Sequence, residues 1–161
     1  MIRGIHHTSL ASRDLERLLQ FYCGLLGLEK MVEYSWPRGT LAMDNIVGLK
    51  QTSGRVVFLK TTNTFLEMFQ YESPTPGAGD SMLRPCDPAI THICFDVVDV
   101  MGEYERLSAA GVPFHSPPQT HAGVCTVYAR DPDGNIVEFQ EILNPRSRMQ
   151  LPGNRSDAAS A

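Results

Sequence analysis

The sequence predicts an α+β fold: two βαβββ modules forming a curved, partly open mixed sheet around a cavity, with helices outside. Three observations carry that prediction. The two halves of the 161-residue chain run through the same order of strand-like and helix-like stretches. A proline- and glycine-rich stretch between them, SPTPGAGD at 73–80, cannot continue a strand. A histidine and a glutamate stand at matching places in each half.

In the first half, residues 4–11 (GIHHTSLA) read as a strand. A helix is expected over 13–26, where Leu15, Leu18, Leu19, Tyr22, Leu25 and Leu26 recur at helical spacing and Gly27 closes the run. Strands are expected at 29–36, 54–61 and 64–71. The order then restarts with ITHICFDV (90–97) as a strand and VDVMGEYERLSAAG (98–111) as a helix ending in glycine. A short extended piece near 113–115 precedes strands at 123–130 and 135–142, joined by the tight-turn sequence DPDGN. Residues 1–143 are thus expected as one domain, with module one at 4–72, a linker at 73–88 and module two at 89–143. Residues 144–161 are polar, rich in small residues and aperiodic, and read as a flexible tail.

A net charge of −4 and a pI near 5.7 argue against nucleic acid or an anionic membrane as partner. Apolar runs fall far short of a membrane span, and the N-terminus lacks a signal-peptide pattern, so the expected location is cytoplasmic. Cys23, Cys86, Cys94 and Cys125 form no C-x-x-C pair and read as reduced thiols, with Cys94 expected as a small core residue.

The repeat aligns chemistry. His7 and His92 occupy the first strands of the two halves, and Glu67 (TFLEMFQY) and Glu138 (NIVEFQE) the last. His7 and Glu67 are 60 residues apart, His92 and Glu138 46. The 14-residue excess falls in PRGTLAMDNIVGLKQTSG, where a loop or short helix over a cavity is expected, with Trp36, Met43 and Ile46 as lid residues. Strand alternation groups Glu67 with Phe65 and Phe69, and sets His92 and Glu138 opposite the more apolar faces of their strands. His6 should point away from His7 and serve as a structural residue under the helices or at the rim. Two imidazoles and two carboxylates on one point suit a divalent metal: Zn, Ni, Co, Mn or Fe(II). A metal would also account for two carboxylates on an inner face, where an unpaired one is costly to bury.

The segments GIHHTSL, DLERLLQFYCGLLGLEK, FLEMFQY, ITHICFDV and YARDPDGNIVEFQE resemble the vicinal oxygen chelate superfamily, over roughly residues 4–142. That superfamily includes glyoxalase I, methylmalonyl-CoA epimerase, extradiol dioxygenases and antibiotic-resistance proteins. The resemblance implies paired βαβββ modules, each giving two ligands to one metal, and places His7, Glu67, His92 and Glu138 on the ligand positions. It also implies a small-molecule substrate with vicinal oxygens and a homodimer.

Four protein ligands suit Lewis-acid chemistry, a proton moved α to a carbonyl through a metal-stabilised enediolate in a lyase or isomerase. Glu67 and Glu138 are both candidate bases, and the sequence does not rank them. An Fe(II) extradiol-type dioxygenase is the alternative, with Glu67 outside the metal's shell, and a non-catalytic binding or resistance protein is a third. Phe65, Phe69, Tyr128, Trp36 and Met43 are the expected substrate-facing residues. Arg38, Arg55 and Arg84 are expected at the solvated surface, and His115 and His121 in loops.

Overall fold

The computed structural model describes residues 1–77 and 84–151, in two compact units, Met1–Asp80 and Ser81–Ala161. The first contains β1 (His7–Ser12), α1 (Leu15–Leu19), β2 (Glu29–Trp36), α2 (Leu41–Val47), β3 (Ser53–Lys60) and β4 (Phe65–Ser73). The second contains β5 (His92–Asp96), α3 (Val100–Ala109), β6 (Gln119–His121), β7 (Val124–Arg130) and β8 (Ile136–Ile142). Each unit holds an open four-stranded mixed sheet, ordered β1-β4-β3-β2 in one and β5-β8-β7-β6 in the other. The βαβββ module is therefore built twice, with α2 as the first module's addition.

In each sheet the first strand pairs in parallel with the last. That connection is what makes a first-strand histidine and a last-strand glutamate neighbours. His7 lies opposite Phe65 and His92 opposite Ile136, so each glutamate sits two residues further along, on the same face.

The other face of each sheet carries the helix. Asp14 accepts the Arg17 N–H at the start of α1, and Asp99 accepts the Gly102 N–H at the start of α3. A second cap comes from the sheet. Gln70 Oε1 accepts the Leu15 N–H at 3.0 Å, and Glu141 Oε2 accepts the Val100 N–H at 3.1 Å. Gln70 and Glu141 each stand three residues after their module's candidate glutamate, and odd spacing turns them to the opposite face. One strand thus holds the site on one side and its helix on the other. Leu66 and Met68, alternating with Glu67, are buried beside Leu15 and Leu18, and Val137 and Phe139 play that part with Val100 and Leu107. Each such side chain contributes about 1.5–3 kcal/mol through burial.

The first helix departs from the expected register. After Leu19 the chain widens into π-helical turns over Gln20–Leu25, with the Leu26 N–H reaching Phe21 O at 3.0 Å. The wider turn lets adjacent Phe21 and Tyr22 both point inward, 4% and 0% exposed, while Leu19, Leu25 and Leu26 are only half-buried. Strand β6 was not anticipated, because its three residues are all exposed and show no apolar alternation. Near 113–115 there is a single bridge, Phe114 to Ala129. The DPDGN turn is organised by buried Asp131, whose Oδ1 accepts the N–H groups of Asp133 and Asn135 at 2.9 Å.

The inserted segment does form a short helix, none of whose residues is buried. It is pinned from behind. Asp44 Oδ1 accepts the Thr52 N–H at 2.8 Å and its hydroxyl at 2.6 Å, and the Thr52 hydroxyl oxygen accepts Trp36 Nε1–H at 3.1 Å. Trp36 passes over Gly54, where a Cβ would fall on the Gln70 carbonyl oxygen and within 2.9 Å of Trp36 Cη2.

Arg38 donates to Ser73 Oγ and Arg84 pairs with Asp87 at the exposed surface as expected, whereas Arg55, which bridges Glu16 and Glu33, is half-buried rather than solvated. Residues 144–151 form turns, with Gln150 Nε2 donating to Ile142 O at 3.0 Å. The remainder of the expected tail, and 78–83 of the expected linker, lie outside the described residues. Among the described residues no helix is long and apolar enough to cross a membrane.

Candidate metal centre

Within the first unit, His7 Nε2 and Glu67 Oε2 stand 3.4 Å apart. The far side of the His7 ring is engaged too, its Nδ1 lying 3.0 Å from Nδ1 of His6. One of these nitrogens carries the shared proton. With the proton on His7 Nδ1, the Nε2 lone pair is left to face Glu67. Of the two expected places, under the helices or at the rim, His6 takes the rim, but its ring turns toward His7 rather than away from it. Strand β1 begins only at His7, and His6 is an exposed rim residue stacked on Phe65 at a ring separation of 5.2 Å. Phe58, directly opposite Glu67 in the ladder, meets the His7 ring edge-on at 5.6 Å.

The second unit repeats the arrangement with different atoms. His92 Nε2 and Glu138 Oε2 are 3.0 Å apart, and His92 Nδ1 lies 3.0 Å from the hydroxyl of Thr91. Thr91 precedes His92 as His6 precedes His7. Tyr128, opposite Glu138 as Phe58 is opposite Glu67, lies against the His92 ring at 5.2 Å. Each histidine is therefore held at Nδ1 by its preceding residue and braced by an aromatic ring, with Nε2 presented to a carboxylate. That is how ligating imidazoles are commonly oriented.

The carboxylates differ in one respect. Both glutamate side chains are 13% exposed, yet Glu138 Oε1 also accepts a 2.6 Å hydrogen bond from the Thr126 hydroxyl. Cys94 stands across the ladder from Glu138, and partial burial of its sulfur together with that carboxylate pushes the thiol up to about 12. Cys94 is thus an exposed residue opposite Glu138 on the site face, not the core residue expected. Alternation does group Cys94 with His92; it is not core because β5 is an edge strand with neither face fully covered.

The substrate-facing expectations are placed as follows. Phe65 and Phe69 flank Glu67 and are half-buried, Phe65 stacked on His6 and Phe69 stacked on Tyr71 at 5.5 Å. Trp36 is 5% exposed and packs edge-on to Phe69 and Tyr71, which makes it a fixed wall rather than a lid. Met43 is half-buried on α2 and Ile46 exposed. Tyr128 faces the site, its hydroxyl held protonated by burial and by the Glu138 charge. Arg130 shares the Tyr128 face, being two residues on, and its Nε donates to His115 Nε2 at 3.0 Å. Burial and that guanidinium hold His115 below the usual histidine range. Alternation could also have found Tyr71, on the Glu67 face, but Thr91 and Thr126 carry no signal in one sequence.

Among the described residues, no group of three or more His, Cys, Asp and Glu side chains is arranged to hold a metal. The structure brings together two pairs, each within its own unit. The donor set of each, one imidazole Nε2 and one carboxylate oxygen, fits a borderline-hard divalent cation.

Two sheets of this topology define a repeated-module protein with one histidine–glutamate pair in each module. A family model described as the glyoxalase/bleomycin resistance protein/dioxygenase superfamily matches residues 4–139, and the chain belongs to that superfamily. A probable lactoylglutathione lyase from Synechocystis sp. is 25% identical over 135 residues, 83% of this chain and 91% of its own. An ethylmalonyl-CoA/methylmalonyl-CoA epimerase from Cereibacter sphaeroides is 25% identical over 148 residues, 88% of this chain and all of its own length. The crystal structure of a glyoxalase family protein from Bacillus cereus superposes with a TM-score of 0.79 at 17% identity, covering 89% of this chain and 97% of that one. Members of the superfamily use a divalent metal and include lyases and epimerases.

Proposed function

We propose that the protein is a divalent-metal-dependent lyase or isomerase that moves a proton α to a carbonyl, with His7, Glu67, His92 and Glu138 as metal ligands. The observation that carries this reading is the repeated pair, a histidine Nε2 facing a glutamate Oε2 in equivalent places of both modules. Nickel, zinc, cobalt, manganese or iron(II) would each accept this donor set. The bound cation would supply Lewis acidity at the substrate's carbonyl oxygen, which makes the neighbouring C–H more acidic.

The chain's own groups do the rest. A glutamate oxygen takes the α-proton, which is delivered to the adjacent carbon in a lyase or isomerase of the glyoxalase kind, whereas in an epimerase a second group delivers a proton to the opposite face of the same carbon. Phe65, Phe69 and Trp36 give one side of the site an apolar lining that excludes water, and the Tyr128 phenol offers a hydrogen-bond donor to a substrate oxygen. The protein is expected to act as a homodimer in the cytoplasm on a small molecule with vicinal oxygens.

The test offers S-lactoylglutathione and methylmalonyl-CoA to metal-loaded protein in deuterated water and follows the α-proton by NMR. Metal-dependent exchange with either compound, lost in both E67Q and E138Q, is the expected result. Oxygen uptake with catechols by the Fe(II) form, or failure to bind any of these metals, would overturn it.

A further inference from the structure

The outer strand of module one turns its apolar residues to a side that leaves them exposed. Val32 lies opposite Phe58, which lies opposite Glu67, and Tyr34 lies opposite Val56, which lies opposite Phe69. Both rows therefore run on the face that carries the His7–Glu67 pair. Val32 and Tyr34 are still 51% and 44% exposed there. The polar residues of β2 stand on its other face, Glu33 opposite Val57 and Ser35 opposite Arg55. Edge strands are ordinarily guarded by polar and charged side chains, so contact with solvent does not account for this pattern.

Module two does not repeat it. Counted from Glu138, Tyr128 takes the place of Phe58, Thr126 that of Val56 and Gln140 that of Phe69. At the edge, Gln119, opposite Thr126, takes the place of Tyr34, and His115, whose N–H donates to Tyr128 O, that of Val32. Four of these five side chains are hydrocarbon in module one, and all five carry a polar group in module two. The fold itself thus does not require the apolar rows. With neighbouring strands about 4.8 Å apart, the row from Glu67 through Phe58 to Val32 covers about 10 Å, enough for a ring and more than a methyl group fills.

We propose that the substrate carries a ring-sized apolar substituent on its carbonyl carbon, bound along these rows, and that Val32 and Tyr34 set the preference for it over a methyl group. This rests on the proton-transfer reading above and names the substrate class within it. With the carbonyl beside His7 and Glu67, the ring lies against Phe58 and reaches the two half-exposed side chains of β2. Contact there removes apolar surface of both partners from water, and the aromatic neighbours add edge and face contacts.

The experiment uses two α-hydroxy ketones that differ in that substituent alone, hydroxyacetone and 2-hydroxyacetophenone. Dissociation constants are measured by calorimetry on metal-loaded wild type, V32D, Y34S and S35D, and α-proton exchange in deuterated water by NMR. Wild type should bind the phenyl compound about tenfold or more tightly than the methyl one, the effect of covering most of a ring. V32D and Y34S should each cut that ratio to about threefold or less, and S35D, on the other face of the same strand, should keep it. Urea midpoints check that each variant is folded, and the wild-type ratio decides the matter where one is not. Equal affinity for the two ketones, or a ratio unmoved in folded V32D and Y34S, overturns the substituent assignment alone. Exchange with neither ketone, nor with S-lactoylglutathione or methylmalonyl-CoA, overturns the proton-transfer reading and the assignment with it.

Discussion

His6 and His7 meet through their Nδ1 atoms at 3.0 Å, so adjacent residues that strand alternation would separate act on one imidazole. The contact exists because β1 begins at His7 and leaves His6 outside the pleat, resting on Phe65. Removing the acceptor in H6A should raise the metal dissociation constant about tenfold, as losing an orienting partner of a ligand does. H6N, which keeps a side-chain acceptor, should recover most of that loss. Titration with Co(II) or Ni(II) measures both, and H6A binding as wild type does would show that the contact orients nothing.

The caps reaching from sheet to helix make a second prediction. Glu141 satisfies the Val100 N–H at the start of α3, where a negative charge is also favoured by the helix dipole. E141A should destabilise the protein by about 1–2 kcal/mol, read as a lower urea midpoint. E141Q should cost less than half of that, because Gln70 performs the same task for Leu15 in module one. Equal losses in the two variants would assign the effect to charge rather than to the hydrogen bond.

Gly54 is the third. A methyl group there would meet the Gln70 carbonyl oxygen and the Trp36 indole, neither of which can retreat from the sheet. G54A should therefore cost about 1–3 kcal/mol, the usual range for overpacking, and shift the emission of Trp36, the single tryptophan. An unchanged spectrum and denaturation midpoint would show that the indole has room to move.

Asp44 gives a prediction in pH. Donors from Thr52 and Gln51 hold its carboxyl below the usual aspartate range. A folded-state value lowered in this way makes its contribution complete above the ordinary value of about 3.9 and lost as the pH falls through the lowered one. Since Thr52 links Asp44 to the Trp36 indole, Trp36 emission should stay constant from neutral pH to about 4, the ordinary aspartate value, and change below it. D44A should show the altered emission already at pH 7. A wild-type change centred between pH 5 and 6 would point to another group.

Much of this was legible in residue order. The repeat of strand, helix and strands, the 14-residue excess and the placing of His7, Glu67, His92 and Glu138 all follow from spacing and apolar alternation, because a covered sheet face requires them. What periodicity could not carry was set by tertiary contacts. Phe21 turns inward only because the helix widens into π turns, and β6 exists only because β7 offers it a ladder. The direction of His6 depends on where the first strand begins, and the difference between the carboxylates depends on a hydroxyl one strand away. Amino-acid order determined that each module has a histidine at the start of its first strand and a glutamate in its last. Only the parallel pairing of first strand with last set Nε2 against Oε2, because that pairing joins residues dozens of positions apart. Only the register of β7 against β8 gave Glu138 its hydrogen bond from Thr126, which has no counterpart at Glu67 among the described residues.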